Sequence, residues 1–352
     1  MLDLLEQPEA PPAGSPRDHD ALFYDILAGG AKTRLLEAFL DLQVPEILGS
    51  RGEMTARDFC RQLAVHPHRG WKFLHLLATV GLLEQAAGDH GEDDAVFRLS
   101  PAAKYHFGED GRQGYYYRDL VNFWRNVAVL PIVEVLRGMP LPNAVRWPPP
   151  GLNEAEHLET WMRVTAEGAV ATVLNSGALA EGSRLLDVGG GDGTIGCALA
   201  QHYPGLKVTV FNLPASAYLA RRTISEKGCG DRVQVHEGDF LQDEFPAGYD
   251  RVLFSRVLCD WTPAVCRMLF EKSRRALGPG GRLVINEALV DGNLDYTVSW
   301  EFRYLFYDTF GRCLFKPLHV YRELLNDAGF EIVNYTPMPP AVFYSVIEAV
   351  PK

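Results

Sequence analysis

What this 352-residue chain has little of narrows the field first. It carries 34 Lys and Arg against 45 Asp and Glu, a net charge of −11, so it is short of the clustered cations that dominate phosphate-backbone binding. No run approaches the ~18 uninterrupted apolar residues of a membrane helix. The N-terminus, MLDLLEQPEAPPAGSPRD, is acidic and proline-broken, where a signal peptide would be basic and then apolar. These deficits argue against nucleic-acid and membrane partners and lead us to expect a cytoplasmic protein. The six cysteines, Cys60, Cys197, Cys229, Cys259, Cys266 and Cys313, form no CxxC pair. Neither a zinc site nor a disulfide framework is therefore expected, and the metal expectation is none. Hydrophobic residues at 47% and charged ones at 22% are ordinary for a globular protein, and the length predicts two domains at roughly 100–200 residues each.

What is present divides the chain. Residues 1–18, with four prolines, read as a leader. Residues 19–105 read as a mainly helical domain: Leu35, Leu36, Phe39, Leu40 and Val44 recur at helical spacing, and Thr55 with Asp58 three residues on resembles a capping box. A helix after Pro67 runs to Gly81, and Leu82–Glu84 with Ala95–Leu99 form a two-stranded wing. Helices followed by such a hairpin make a winged-helix-like arrangement, often a DNA reader, so a regulator stays among the readings. The second helix carries only Arg69 and Lys72 as cations, which favours a dimerisation element and a homodimer. Residues 106–175, with Tyr115, Tyr116, Tyr117, Phe123, Trp124, Trp147 and Pro148–Pro150, read as a helical linker and pocket roof for a flat ligand or as plain packing.

From 176 to 352 the period changes to alternating strands and helices, which predicts an α/β domain: a Rossmann-like doubly wound sheet, with EIVNYT and the last apolar run as a C-terminal antiparallel hairpin. Ligands in such sheets sit at the carboxyl ends of the strands. The first strand ends in Asp187-Val188-Gly189-Gly190-Gly191-Asp192-Gly193 directly before a helix. Glycines permit tight turning and close approach of backbone to ligand. Two acids beside that turn would repel a pyrophosphate and suit a cationic, phosphate-free ligand, which points to S-adenosylmethionine. Later strands end in Asn212, in Asp239-Phe240, and in Ser255-Arg256-Val257-Leu258-Cys259-Asp260-Trp261.

The motifs LLDVGGGDGTIGCAL, VFNLP, GDF, SRVLCDW and LGPGGRLVINEAL resemble, in type and order, those of the class I S-adenosylmethionine-dependent methyltransferases, specifically the small-molecule O-methyltransferase family of plant phenolic and bacterial natural-product tailoring enzymes. The resemblance extends over nearly the whole chain. It implies a winged-helix-like N-terminal dimerisation domain and S-adenosylmethionine as cofactor. It implies that Gly189, Gly191 and Gly193 line the methionine part with Asp187 beside them. Asn212 falls where the family usually has an acidic ribose ligand, Asp239 and Phe240 match the adenine pair, and Ser255 with Arg256 matches the bacterial strand-four turn. Met162 falls near a methionine that closes over the cofactor, and Trp261 near the acceptor.

In O-methylating members the resemblance implies a His-Asp-Trp turn whose histidine removes the acceptor's proton. Here that position is Cys259, and no histidine lies between His236 and His319. Cys259, Glu287 and Glu301 are the candidates for the proton acceptor. Three readings stay open: O-methylation of a small aromatic acceptor with one of these as base or with none; C- or N-methylation of an aromatic or amino-acid-like acceptor; and a cofactor-binding enzyme of decarboxylase or hydroxylase type. The segment SWEFRYLFYDTF supplies Arg303, Tyr304, Tyr307 and Asp308 as substrate-facing candidates. Lys316 and His319 read as surface or capping residues.

Overall fold

A computed structural model describes residues 16–86, 91–108, 114–140, 148, 149, 151–180, 182–290, 294–306, 315–337 and 344–352. The leader as far as Ser15, Trp147, Pro150, Tyr307, Asp308, Cys313 and the side chains of Tyr115 and Tyr116 lie outside them. The chain forms two compact units, 1–129 and 130–352. Residues 106–175, expected as one linker and roof, divide between these units.

The first unit contains α1 (Pro16–Asp41), α2 (Val44–Arg51), β1 (Glu53–Thr55), α3 (Ala56–Gln62), α4 (Pro67–Thr79), β2 (Leu83–Gln85), β3 (Val96–Leu99), α5 (Pro101–Phe107) and α6 (Gly114–Ala128). Helix α1 opens at Pro16, inside the expected leader, because proline lacks only an N–H that the first helical turn leaves unused. β1 was not expected: three residues are too few for a period to show. It pairs with β3, which pairs in turn with β2, all antiparallel. The Thr55 hydroxyl caps α3 by accepting from Asp58 N at 3.1 Å. Phe39, Leu48, Phe59, Leu74, Leu77 and Phe97 form the centre of its core.

The second unit contains α7 (Ile132–Leu136), α8 (Leu152–Val164), α9 (Ala166–Ser176), β4 (Arg184–Val188), α10 (Thr194–His202), β5 (Lys207–Asn212), α11 (Pro214–Glu226), β6 (Val233–Glu237), β7 (Tyr249–Ser255), α12 (Pro263–Ala276), β8 (Leu277–Glu287), α13 (Leu294–Tyr304), α14 (Leu318–Asp327), β9 (Phe330–Thr336) and β10 (Ser345–Pro351). Its sheet runs β6-β5-β4-β7-β8-β10-β9. The first five strands are parallel, and β10 and β9 add antiparallel at one edge.

Successive residues of a strand face opposite sides of a sheet. Leu185 and Leu253 accordingly join one core with Val173 of α9 and Leu199 of α10, while Leu186 and Phe254 join another with Phe270 of α12 and Tyr321 of α14. Burying each such side chain contributes about 1.5–3 kcal/mol, which is why all four strand positions are apolar. From β4 the chain steps outward to β5 and β6, then returns to β7 on the other side. The reversal opens a crevice at the carboxyl ends of β4 and β7, next to the glycine-rich turn and the Cys-Asp-Trp turn.

Candidate active site

The turn after β4 is built by glycine conformations. Gly189, Gly191 and Gly193 have φ of 69°, 57° and 78°, the left-handed region that side chains rarely adopt. Space is as restrictive as torsion: a Cβ at Gly191 would lie 2.6 Å from Glu159 Oε2, and one at Gly189 would lie 2.9 Å from Val257 Cγ2. Three acids surround the turn. Glu159, from α8, accepts from Asp192 N at 3.0 Å. Asp192 in turn accepts from Thr194 N at 3.1 Å and from Arg163 Nε at 2.6 Å. The Oδ2 atom of Asp187 is buried with no hydrogen-bond partner among the described residues.

Burial pushes the carboxyls of both Asp187 and Glu159 up to about 7. Three acids, one orphaned oxygen and a cradle with no room for a methyl group form an acceptor-rich nest for a cation. The donor set therefore fits S-adenosylmethionine, whose amino group and sulfonium are cationic. It does not fit a phosphate.

The neighbouring strand ends converge on the same turn. Asn212, at the end of β5, donates to Gly191 O at 3.3 Å and accepts from Leu213 N at 2.9 Å. Asp239 is committed to its own turn, its carboxylate accepting from Leu241 N and from the Gln242 side chain, each at 2.9 Å. The Phe240 ring meets Trp261 edge to face with centroids 5.3 Å apart. Ser255 accepts from Asn286 Nδ2 at 2.9 Å. Arg256, a non-glycine residue at φ 61°, is locked there by donating to Thr165 Oγ1 at 2.7 Å and to Met162 O at 2.8 Å. Met162 is half-buried, and its backbone meets this network. Glu159 escaped the sequence reading. The four-residue spacing of Ala155 and Glu159 puts the acid on the buried stripe of α8 but does not say what it faces.

The turn after β7 holds a second acidic cluster. Glu287, at the end of β8, accepts from Val257 N and Leu258 N through one oxygen, both at 2.7 Å. Burial raises it to about 7, against the pull of those two donors. Asp260 is half-buried; burial first, then the Glu287 charge, raises it to about 7. The Cys259 thiol lies 3.7 Å from Asp260 Oδ1 and is pushed well above its ordinary value by burial and by the two acids.

Lys316 corrects the reading of it as a surface residue. It is 2% exposed and donates to Leu258 O at 2.8 Å, with Cys259 O at 3.4 Å, because a buried ammonium requires acceptors on several sides. Its charge lowers both acids. His319 is exposed, as expected. Of the proton-acceptor candidates, Glu287 is strapped to backbone, Glu301 accepts from Phe315 N at 3.1 Å, and Cys259 is held as a thiol.

Helix α13 ends at Tyr304. Tyr304 hydrogen-bonds Asp260, and the Arg303 guanidinium sits 4.3 Å from the Trp161 ring centroid and 5.1 Å from that of Trp300.

Comparison with known proteins gives the family. Residues 153–331, just over half of the chain, match the O-methyltransferase domain family. The demethylspheroidene O-methyltransferase of Cereibacter sphaeroides is 30% identical over 287 residues, covering 78% of this chain and 72% of that protein. The L-tyrosine C(3)-methyltransferase of Streptomyces lavendulae is 33% identical over 178 residues, and there the match covers 50% of this chain and only 47% of the relative. The solved apo structure of the S-adenosylmethionine-dependent methyltransferase SibL superposes with a TM-score of 0.75 at 27% identity, covering 94% of this chain and 99% of that one. With its glycine turn at the β4–β7 crevice, a family match over half of its length and a 30% identical relative aligned over most of both chains, the chain belongs to the O-methyltransferase domain family and is an S-adenosylmethionine-dependent methyltransferase of small molecules.

Proposed function

We propose that this enzyme methylates a small hydroxylated aromatic acceptor and that Asp260 takes the acceptor's phenolic proton. The observation that carries the reading is Asp260 itself, half-buried beside the cofactor crevice with its carboxyl raised to about 7. A phenol, pKa near ~10, loses its proton more readily to a carboxylate near ~7 than to one at an ordinary ~4. Tyr304 and the Cys259 thiol orient Asp260 as hydrogen-bond donors, while Glu287 and Lys316 set its electrostatic surroundings. When bound, S-adenosylmethionine supplies an electrophilic methyl group on a sulfonium. Glu159, Asp187 and Asp192 would hold its cationic end, Asn212 would offer polar atoms to its ribose, and Phe240, with whatever lone pairs Asp239 keeps beyond its own turn, would meet its adenine.

The methyl goes to the phenolic oxygen in this reading. A second reading, transfer to the ring carbon ortho to the hydroxyl, is favoured by Cys259 standing where the family resemblance implies a histidine, and by the L-tyrosine C(3)-methyltransferase among the relatives. Both begin with the same proton removal, since a phenolate carries charge on oxygen and on the ortho carbon; on the carbon route the methylated ring carbon then gives up its own hydrogen as a proton, and the oxygen takes one back to restore the aromatic phenol. The test is methyl-labelled cofactor with a phenol panel and the variants D260N and C259A. D260N is expected to lower kcat by roughly 10²–10⁴-fold and to abolish the limb of the rate profile near pH 7, with C259A within a few-fold of wild type. Unchanged turnover in D260N would sink the base assignment. Carbon-13 NMR of the product distinguishes an aryl ether from an aryl methyl.

The reading includes a homodimer through the first unit. Leu22, Phe23, Tyr24, Ile26 and Leu27 of α1 are 59–73% exposed, a contiguous apolar stretch that a second copy would cover. Several cations of the same unit are paired with its own acids, among them Arg57 with Asp94 at 3.2 Å and Arg98 with Glu84 at 2.8 Å, which leaves fewer for a phosphate backbone and supports a reading without nucleic acid. Sedimentation of wild type against L22E/I26E checks the dimer: a wild-type monomer removes it. Among the described residues no helix is long and apolar enough to cross a membrane.

A further inference from the structure

Arg256 is held in a conformation that its residue type disfavours. At φ 61° it occupies the left-handed region, where Cβ crowds the following carbonyl, and non-glycine residues kept there cluster at functional sites. The backbone gains from it. Arg256 N donates to Asn286 O at 3.0 Å, and Val257 N and Leu258 N donate to Glu287 Oε1, so three successive N–H groups turn toward the end of β8. Glycine or asparagine would meet that backbone demand at lower cost. What they would lack is the side chain.

The guanidinium closes on the joint between α8 and α9, donating through Nη1 to Thr165 Oγ1 at 2.7 Å and through Nη2 to Met162 O at 2.8 Å. Met162 belongs to the last turn of α8, and Thr165 is the residue at which α8 ends and α9 begins. Carbonyls of a last turn have no helical N–H to accept from, and a cation there is favoured by the helix dipole. The same helix bears on the cofactor turn. Glu159 accepts from Asp192 N at 3.0 Å, Arg163 donates to Asp192 at 2.6 Å, and Glu156 accepts from Arg222 of α11 at 2.7 Å. Residues 156, 159 and 163 share one helix face at spacings of three and four. Helix α8 is therefore seated on two turns at once, by that face on the turn after β4 and by its last carbonyls on the turn after β7.

Charge alone would give Arg256 the opposite role. Its guanidinium is near enough to Asp187 and Glu159 to lower both carboxyls, and a fixed cation beside those acids opposes a cationic ligand. Removing it should tighten binding of the cofactor's amino group if charge were its whole contribution. Removing it as a support should loosen α8, and Glu159 with it. The two effects differ in sign, so affinity separates them.

We propose that Arg256 is a positioning residue for the cofactor: it fastens the end of α8 to the turn after β7, so that Glu159 is presented at the glycine turn to the cofactor's amino group. This rests on the reading of the acid nest as the seat of that group and deepens it by naming the residue that holds the nest together. Arg256 acts through Glu159 and takes no part in proton or methyl transfer.

The experiment measures the affinity of the full chain for S-adenosylhomocysteine by calorimetry at pH 8.5, above the value of about 7 that both acids have. The proteins are wild type, R256M, R256K, E159Q and R256M/E159Q, with melting temperatures taken alongside. R256M is expected to weaken binding roughly tenfold, and R256K, which keeps the charge without the planar fork, by less. Because Arg256 acts through Glu159, the double variant should bind about as weakly as the weaker single one. Wild-type or tighter binding by R256M, whatever its melting temperature, overturns the proposal, and so do losses that add in the double variant. E159Q with wild-type affinity sinks the acid nest and the proposal with it, a result distinct from a weakened E159Q beside an unaffected R256M. Should R256M fail to fold, T165V leaves the arginine in place and removes one of its two acceptors. A few-fold loss of affinity that vanishes in the E159Q background then supports the proposal, and no loss overturns it.

Discussion

A methyl group at Gly191 would meet a carboxylate oxygen at 2.6 Å in a backbone conformation that a side chain already disfavours. Gly191→Ala is therefore expected to cost about 1–3 kcal/mol in stability from strain and, by pushing Glu159 away, to weaken cofactor binding; calorimetry with S-adenosylhomocysteine and a thermal melt read the two effects separately. Glu159 and Asp187 carry a further consequence. Both are raised to about 7 by burial, so below that pH they hold protons that a cationic ligand must displace to gain its counter-charge. Affinity for S-adenosylmethionine should fall as pH drops from 8 to 6, with protons released on binding at pH 6. Calorimetry in two buffers of different ionisation enthalpy measures that release; a pH-independent affinity would show that these acids do not face the ligand's charge. Asp187 was legible in the sequence because it flanks the glycines. Glu159 was not, because its partner Asp192 lies 33 residues away and helix spacing reports only that a face is buried, without saying against what.

At the scale of elements, two lysines hold the loops that the strands present. Lys272 of α12 is 5% exposed and donates to Phe240 O at 2.9 Å and Asp243 O at 2.7 Å, fastening the turn after β6 to the helix beside it. Lys272→Met removes both hydrogen bonds and should destabilise the protein by about 2–3 kcal/mol, with KM for the cofactor rising more than KM for the acceptor. Lys316, just before α14, fastens the turn after β7 and lowers the nearby acids. Lys316→Met should therefore move the rate limb assigned to Asp260 to higher pH; a limb that stays in place would mean that another group titrates. The strands and helices of 184–290 were legible because apolar period is a local property, and the three-residue β1 was not because it has almost no period. Lys316 was misread for a related reason. Its neighbours in sequence say nothing of Leu258, 58 residues away, and a lysine's burial is decided by acceptors that only the folded turn supplies.

For the molecule as a whole, the buried acids set the response of stability to pH. Asp187, Glu159, Asp260 and Glu287 are each raised to about 7 from ordinary values of 3.8 or 4.5. Between those ordinary values and 7 the folded chain holds protons that the unfolded chain has released. Unfolding in that window releases protons, so stability declines as pH rises through it and levels off above about 7. The melting temperature of the ligand-free protein should accordingly fall between pH 5.5 and pH 8. The net charge of −11 pushes in the same direction through surface repulsion, but that contribution is screened by salt, whereas buried groups are screened much less. A decline that persists in 0.5 M salt and is shallower in the E159Q/D187N variant would belong to the buried acids, and one that disappears with salt would belong to the surface. A saturating cationic ligand should flatten the part of the curve due to Asp187 and Glu159, because it stabilises their ionised forms in the folded state, and leave the part due to Asp260 and Glu287. Melting curves across that pH range, with and without S-adenosylmethionine, thus separate the cofactor acids from the acceptor acids.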